Sequence, residues 1–174
     1  MKKLAVTFLL MIGAFGASFA QKTAFVDLDY ILANIPDYKN AQSELDKISA
    51  QWQKEIEAKF SEVDKLYKSY SADEILLTDE MKKKRQAEIM QKEKEAKDLQ
   101  KQRFGVDGDL FKKRQELVKP IQDKVYNAIK ALCDKEQIMI MFNKTSDLNI
   151  LYSNAKFDKS DAVLESMGYK PGAK

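Results

Sequence analysis

The stretch AQSELDKISAQWQKEIEAKFSEVDKLYKSY, residues 41–70, contains neither glycine nor proline. Its apolar residues fall at Ala41, Leu45, Ile48, Trp52, Ile56, Phe60, Val63, Tyr67 and Tyr70. Steps of three and four trace one stripe along an α-helix. Thirty residues at about 1.5 Å each make a rod of about 45 Å, as long as a small domain is wide. A rod that is apolar on one side only needs something of similar length to lie against.

The next segment of the chain supplies that partner. The rod stops around SADEILLTDE, residues 71–80. Thr78 suits an N-cap, and Asp79 and Glu80 suit the first helical turn, where the dipole favours acids. The chain therefore turns and a second helix begins. From Asp79 to Arg103 there are 15 charged residues and only six apolar ones: Met81, Ala87, Ile89, Met90, Ala96 and Leu99. So polar a helix cannot be the middle of a globular core. A thin seam is still enough to pair it with the first rod as a two-stranded antiparallel coiled coil. Charge agrees, since residues 37–80 carry a net −5 and residues 81–119 a net +6. Each exposed pair adds only a few tenths of a kcal/mol, so the seam carries most of the stability.

Beyond the hairpin comes RFGVDGDLFKKRQELVKP, residues 103–120. Gly105 and Gly108 interrupt the helical pattern, at about 1 kcal/mol each relative to alanine. They mark either a plain break between helices or a hinge that lets the arms splay. The pattern resumes at Phe111 and runs through Ile121, Val125, Ile129 and Leu132. Pro120 lies within it and is expected to bend the helix or mark a restart. This helix is apolar enough on one side to belong to a core.

The two ends of the chain read differently. In KTAFVDLDYILANIPDYKN, residues 22–40, Ala24–Leu28 is a short buried strand. Asp29 is placed to cap a turn over 30–34, which Pro36 ends, and the rod starts near Tyr38. Near the other end, IMIMF (138–142) and DLNILY (147–152) are strands joined by a turn at NKTS. FDKSDAVLESMG (157–168) is a last short helix with Gly168 as its C-cap. Three short strands under one helix are too small to be stable alone, and their open edges invite other chains. Self-association through Phe25, Val26, Ile138, Ile140, Phe142, Ile150 and Tyr152 is the simplest remedy.

The first residues, MKKLAVTFLLMIGAFGASFAQ, have a basic start, an apolar run and small residues at Ser18 and Ala20. This is a secretory signal peptide, cut after Ala20, rather than a membrane anchor. No other stretch is apolar enough to insert stably in a membrane. The mature chain, 154 of the 174 residues, has 28 basic and 27 acidic side chains. That balance does not point to nucleic acid. The one cysteine, Cys133, cannot form an intrachain disulfide. It reads as a small buried hydrophobe or, alternatively, as an interchain bridge. There is no histidine, which removes the commonest general base and metal ligand. With no phosphate-cradling loop either, the reading is of a non-enzyme without cofactor.

The order strand, FVDLDYIL, IPDYKNAQSELDK, charged hairpin, FGVDGDLFKKRQELVKPIQDKVYNAI, IMIMF, NILY and FDKSDAVLESMG resembles the Skp (OmpH) family of periplasmic chaperones, in a form like that of Bacteroidetes-type bacteria. The resemblance covers essentially the whole mature chain. It implies an α+β fold, with a small β-barrel-type body from N- and C-terminal strands and a long antiparallel coiled-coil hairpin arm. It also implies a homotrimer whose arms enclose a cavity for unfolded outer-membrane β-barrel proteins, held without ATP. The outer-membrane assembly machinery is an implied partner. The family brings no catalytic residues. On this reading residues 1–20 are the leader, 21–37 with 119–174 the body, and 38–118 the arm.

Such a holdase needs many weak contacts, because a client kept mobile avoids much of the ordering cost. Near the arm tip Ile75, Leu76, Leu77, Met81 and Met90 could supply them, or could merely close the turn and fill the seam. Lys82, Lys83, Lys84 and Arg85 could attract acidic client segments, or be a solvated helix face. The alternative function is a non-catalytic coiled-coil spacer or adaptor of the cell envelope.

Overall fold

A computed structural model of the chain describes residues 22–145 and 152–172. The elements are β1 (Lys22–Val26), α1 (Leu28–Ala33), α2 (Pro36–Asp73), a 3-10 turn (Glu74–Leu76), α3 (Asp79–Phe104), α4 (Asp109–Glu136), β2 (Ile138–Asn143), a second 3-10 turn (Ala155–Phe157) and α5 (Ser160–Ser166). The signal-peptide reading and most of the 147–152 strand, including Ile150, fall outside the described residues. Two compact units divide the rest: Leu32–Lys124, and the residues before and after it.

In Leu32–Lys124, α2 is one uninterrupted helix of 38 residues, about 57 Å long. Pro36 does not end a preceding turn. It sits at the start of α2, where its missing N–H costs nothing and its fixed φ already suits the helix. Thr78 caps α3, its hydroxyl accepting from the Met81 amide at 3.3 Å. The hairpin is antiparallel. Gln86 donates to the Tyr70 hydroxyl at 2.8 Å, Lys92 meets Glu62 at 3.0 Å, and Arg103 meets Glu55 at 3.5 Å. The partners run down α2 as they run up α3.

Burial shows the seam's period. On α3 the covered or half-covered positions include Lys82, Arg85, Ile89, Lys92, Ala96, Leu99 and Arg103. On α2 they include Ser49, Trp52, Ile56, Lys59, Val63, Leu66 and Tyr70. Both sets alternate steps of three and four, the 3.5-residue repeat of a two-stranded coiled coil. The apolar stripe of the sequence takes a step of four from Val63 and so lands on Tyr67. The heptad takes Leu66 instead, and Tyr67 is 59% exposed. The register sets Trp52 opposite Arg103, Ile56 opposite Leu99, Lys59 opposite Ala96 and Leu66 opposite Ile89. Four of the seven α3 positions are cations. Their aliphatic stems cover the seam while their charged ends reach water; Ala96 itself is fully covered.

In the other unit, β1 and β2 pair in parallel, Thr23 with Ile140 through Val26 with Asn143, with an irregularity after Lys22. On its far side β1 touches the Asp158 region, where Lys159 donates to the Phe25 carbonyl at 2.9 Å. β1 is therefore central, and Ala24, Phe25 and Val26 are all buried. They share the core of this unit with Ile31, Val125, Leu132, Ile138, Val163 and Leu164. The cap of α1 is Asp27 rather than Asp29: its carboxylate accepts from the Tyr30 amide at 2.9 Å. Buried Ser160 fastens α5 to the end of β1. Its hydroxyl accepts from the Asp27 amide at 2.9 Å and donates to Asp158 at 2.6 Å. Gly168, at φ +82, ends α5, with Tyr169 donating back to the Leu164 carbonyl at 2.9 Å.

Candidate functional site

The arm tip presents apolar surface that the turn does not need. The 3-10 turn leaves Ile75 93% and Leu76 84% exposed, while Leu77 is half-buried. Reversal is secured instead by the Thr78 cap and by Tyr70, whose hydroxyl donates to Glu74 at 3.2 Å. Met81 and Met90 are also exposed. Tyr67 and Met90 are both exposed farther down the hairpin, so outward apolar side chains continue from the tip. Tyr67 is hidden to a 3.6-residue reading; a heptad count finds it.

The basic run Lys82–Arg85 divides by the same count. Lys82 and Arg85 take seam positions and are half-buried, while Lys83 and Lys84 face water. Further along, the Lys92–Glu62 hydrogen bond across the hairpin raises the Lys92 pKa and lowers that of Glu62. That contact holds while Glu62 is ionised and is lost as pH falls through its depressed pKa.

Gly105 and Gly108 do separate two helices, and the break is compact. The Gly105 amide donates to the Lys101 carbonyl at 2.8 Å, and the Gly108 amide to the Gly105 carbonyl at 2.9 Å. Arg103, just before the break, binds Asp109, just after it, at 2.7 Å. Its guanidinium lies over the Trp52 ring, 4.6 Å from the centroid, and Phe104 meets the same ring edge-on at 6.4 Å. Val106 stands 91% exposed on the loop. Lys113, in the first turns of α4, is held protonated chiefly by Glu116, with a smaller contribution from Glu44 of α2. Pro120 lies inside α4, which continues through it to Glu136.

The association candidates fall into two classes. Phe25, Val26 and Ile138 are buried in the chain's own core. Ile140, Phe142 and Tyr152 are exposed, as are Met139 and Tyr126. A groove of about 410 Å³, lined by Tyr126, Ile129, Cys133, Met139 and Phe142 among others, adjoins β2. Among the described residues, no strand pairs with the outer edge of β2. Cys133 is half-buried rather than fully covered, and desolvation still raises its thiol pKa. A thiol held protonated is a poor nucleophile for disulfide exchange.

Among the described residues no helix is long and apolar enough to cross a membrane. This architecture has a counterpart of known structure. A crystal structure of a candidate outer membrane chaperone (OmpH-like) from Caulobacter crescentus superposes with a TM-score of 0.66, over 87% of this chain and 86% of that one, at 12% identity. An uncharacterized protein of Aquifex aeolicus is 31% identical over 160 residues, covering 92% of this chain and 94% of the relative. The family model described as Outer membrane protein (OmpH-like) matches residues 22–167. The strand-flanked helical hairpin, its sequence pattern and that match agree: the chain belongs to the OmpH-like outer membrane protein family.

Proposed function

We propose that this chain is an ATP-independent periplasmic holdase for unfolded outer-membrane β-barrel proteins. The observation that carries this reading is the hairpin itself. Its heptad seam is thin and rich in cations, and its tip holds Ile75 and Leu76 out in water. Isolated apolar side chains on a charged wall bind weakly and in many ways, which keeps a captive chain mobile. Preferential binding of the unfolded state shifts a client by mass action and needs no fuel. The leader-like first 20 residues support a periplasmic site of action, and the chaperone description of the Caulobacter structure supports the class of activity.

The test is dilution of a denatured outer-membrane β-barrel protein into buffer with the mature chain, read by light scattering. Near-stoichiometric suppression is expected. Replacing Ile75 and Leu76 together by serine should weaken client binding roughly thirtyfold, since about 1 kcal/mol is at stake for each side chain that a client partly covers. An adaptor would leave scattering unchanged and bind one folded partner instead.

The body region, proposed as 21–37 with 119–174, is the association surface of a trimer in this reading. The open edge of β2 and its exposed Met139, Ile140 and Phe142 support a second copy as the occupant. Ile140→Asp with Phe142→Asp should drop the mass in solution to that of one subunit at micromolar concentration. An unchanged mass would place the assembly surface elsewhere.

A further inference from the structure

One side chain gathers three helices at the glycine break. Arg103, at the end of α3, stacks on Trp52 of α2 at 4.6 Å, donates to Asp109 of α4 at 2.7 Å and reaches Glu55 of α2 at 3.5 Å. Gln102 adds a longer contact to the same Asp109 oxygen, at 3.4 Å. The Trp52–Arg103 pair is also the last layer of the hairpin seam. The joint and the coiled coil therefore end on the same residue.

This arrangement is firm but incomplete. The planar guanidinium suits stacking and carboxylate pairing at once, which an ammonium does less well. Yet the Arg103 Nε is buried without a hydrogen-bond partner, which offsets part of the gain. The joint's own backbone bonds are few: Gly105 to Lys101, Gly108 to Gly105, and Lys112 to the Gly108 carbonyl at 3.1 Å. Three short-range amide bonds beside two glycines do not hold a helix direction without a side-chain clamp.

We propose that Arg103 is a latch, which fastens the α3–α4 joint onto α2 and whose release lets the hairpin swing relative to the first turns of α4 with both helices intact. The glycines supply the pivot, and Arg103, as a positioning residue, determines whether the pivot is free. Its use in admitting or releasing a captive chain rests on the holdase reading above; the latch itself does not.

Amide hydrogen exchange on the mature chain, without client, tests it. Arg103→Met keeps most of the stem and removes the charge. It should speed exchange at Gly105, Gly108 and Lys112 by at least about tenfold. Amides of α2 and α3 away from the joint, at residues 60–70 and 85–98, should stay within about twofold. Arg103→Lys should fall between wild type and Arg103→Met, because it keeps charge and loses the fork. Asp109→Asn, which leaves the Trp52 stack in place, should give a smaller rise confined to the joint. Unchanged exchange at the joint in all three variants overturns the proposal. So does an equal rise along the whole hairpin, which would make Arg103 only one more seam residue. A second measurement, the release rate of a bound denatured barrel protein, separates the two readings. Faster joint exchange with unaltered release keeps the latch and removes its role in client handling. A wild-type chain that binds no client at all leaves the exchange result to decide the latch alone.

Discussion

Leu164→Ala is expected to cost about 3 kcal/mol, within the roughly 2–5 kcal/mol span of buried leucine truncations. Leu164 is fully buried in the short helix α5, beside Val163, which is equally covered. The unit it belongs to has a small core: three residues of β1, part of α4, Ile31, Ile138 and this short helix. Few neighbours can move in to fill the space, so little of the cavity cost is recovered. A loss of that size is a large share of ordinary domain stability. Urea unfolding should show a midpoint lowered by about 1–2 M at a typical denaturant slope. Leu164→Met, close in volume, should cost less than about 1.5 kcal/mol, and exposed Glu165→Ala within about 0.5 kcal/mol. Equal midpoints for Leu164→Ala and Glu165→Ala would mean that α5 contributes nothing to the folded unit.

Gly108→Ala is the second large effect, expected at about 3 kcal/mol, the upper end of overpacking costs. A Cβ there would lie 2.7 Å from the Gln102 carbonyl oxygen, 2.9 Å from the Gly105 nitrogen and 3.0 Å from the Arg103 carbonyl oxygen. All three are backbone atoms of the α3 end, and none is a flexible side-chain tip that could step aside. Gly168 is the instructive contrast. Nothing lies within 4 Å of its would-be Cβ, but its φ of +82 is the left-handed region. Gly168→Asn should therefore cost little, because asparagine tolerates that conformation. Urea midpoints for the two variants measure the difference. A Gly108→Ala protein as stable as wild type would show that the helix ends can separate freely.

The hairpin is legible in the sequence because its signals are local. A glycine-free amphipathic run, a threonine cap followed by acids, and two glycines at the far end define it without reference to the rest of the chain. The phase of the seam is less legible. Tyr67 and Leu66 are adjacent, and only the partner helix's 3.5-residue demand decides between them. With that phase, Trp52 and Arg103 fall opposite each other, so a heptad count alone would bring the two latch residues together. The close approach at Gly108 has no such signal, since it depends on how α3 and α4 abut. Asp27 and Asp29 are both plausible caps by composition; Asp27 takes the role because β1 ends at Val26. Composition also leaves Ile75 and Leu76 open between seam and solvent. The Thr78 cap and Tyr70 close the turn without them, and that decides it.

The parallel pairing of β1 with β2 has a consequence for the order of events in a newly made chain. Lys22 faces Ile138, and nearly everything between them is helix. Contacts between residues close in sequence form fast, and those that must close a long loop form late. The coiled-coil limb therefore matures while the first strand still lacks a mate, and the sheet is completed only when the far end arrives. In the self-association proposed above, an edge that is finished last would also be the last to meet a neighbouring copy, so limbs would precede assembly.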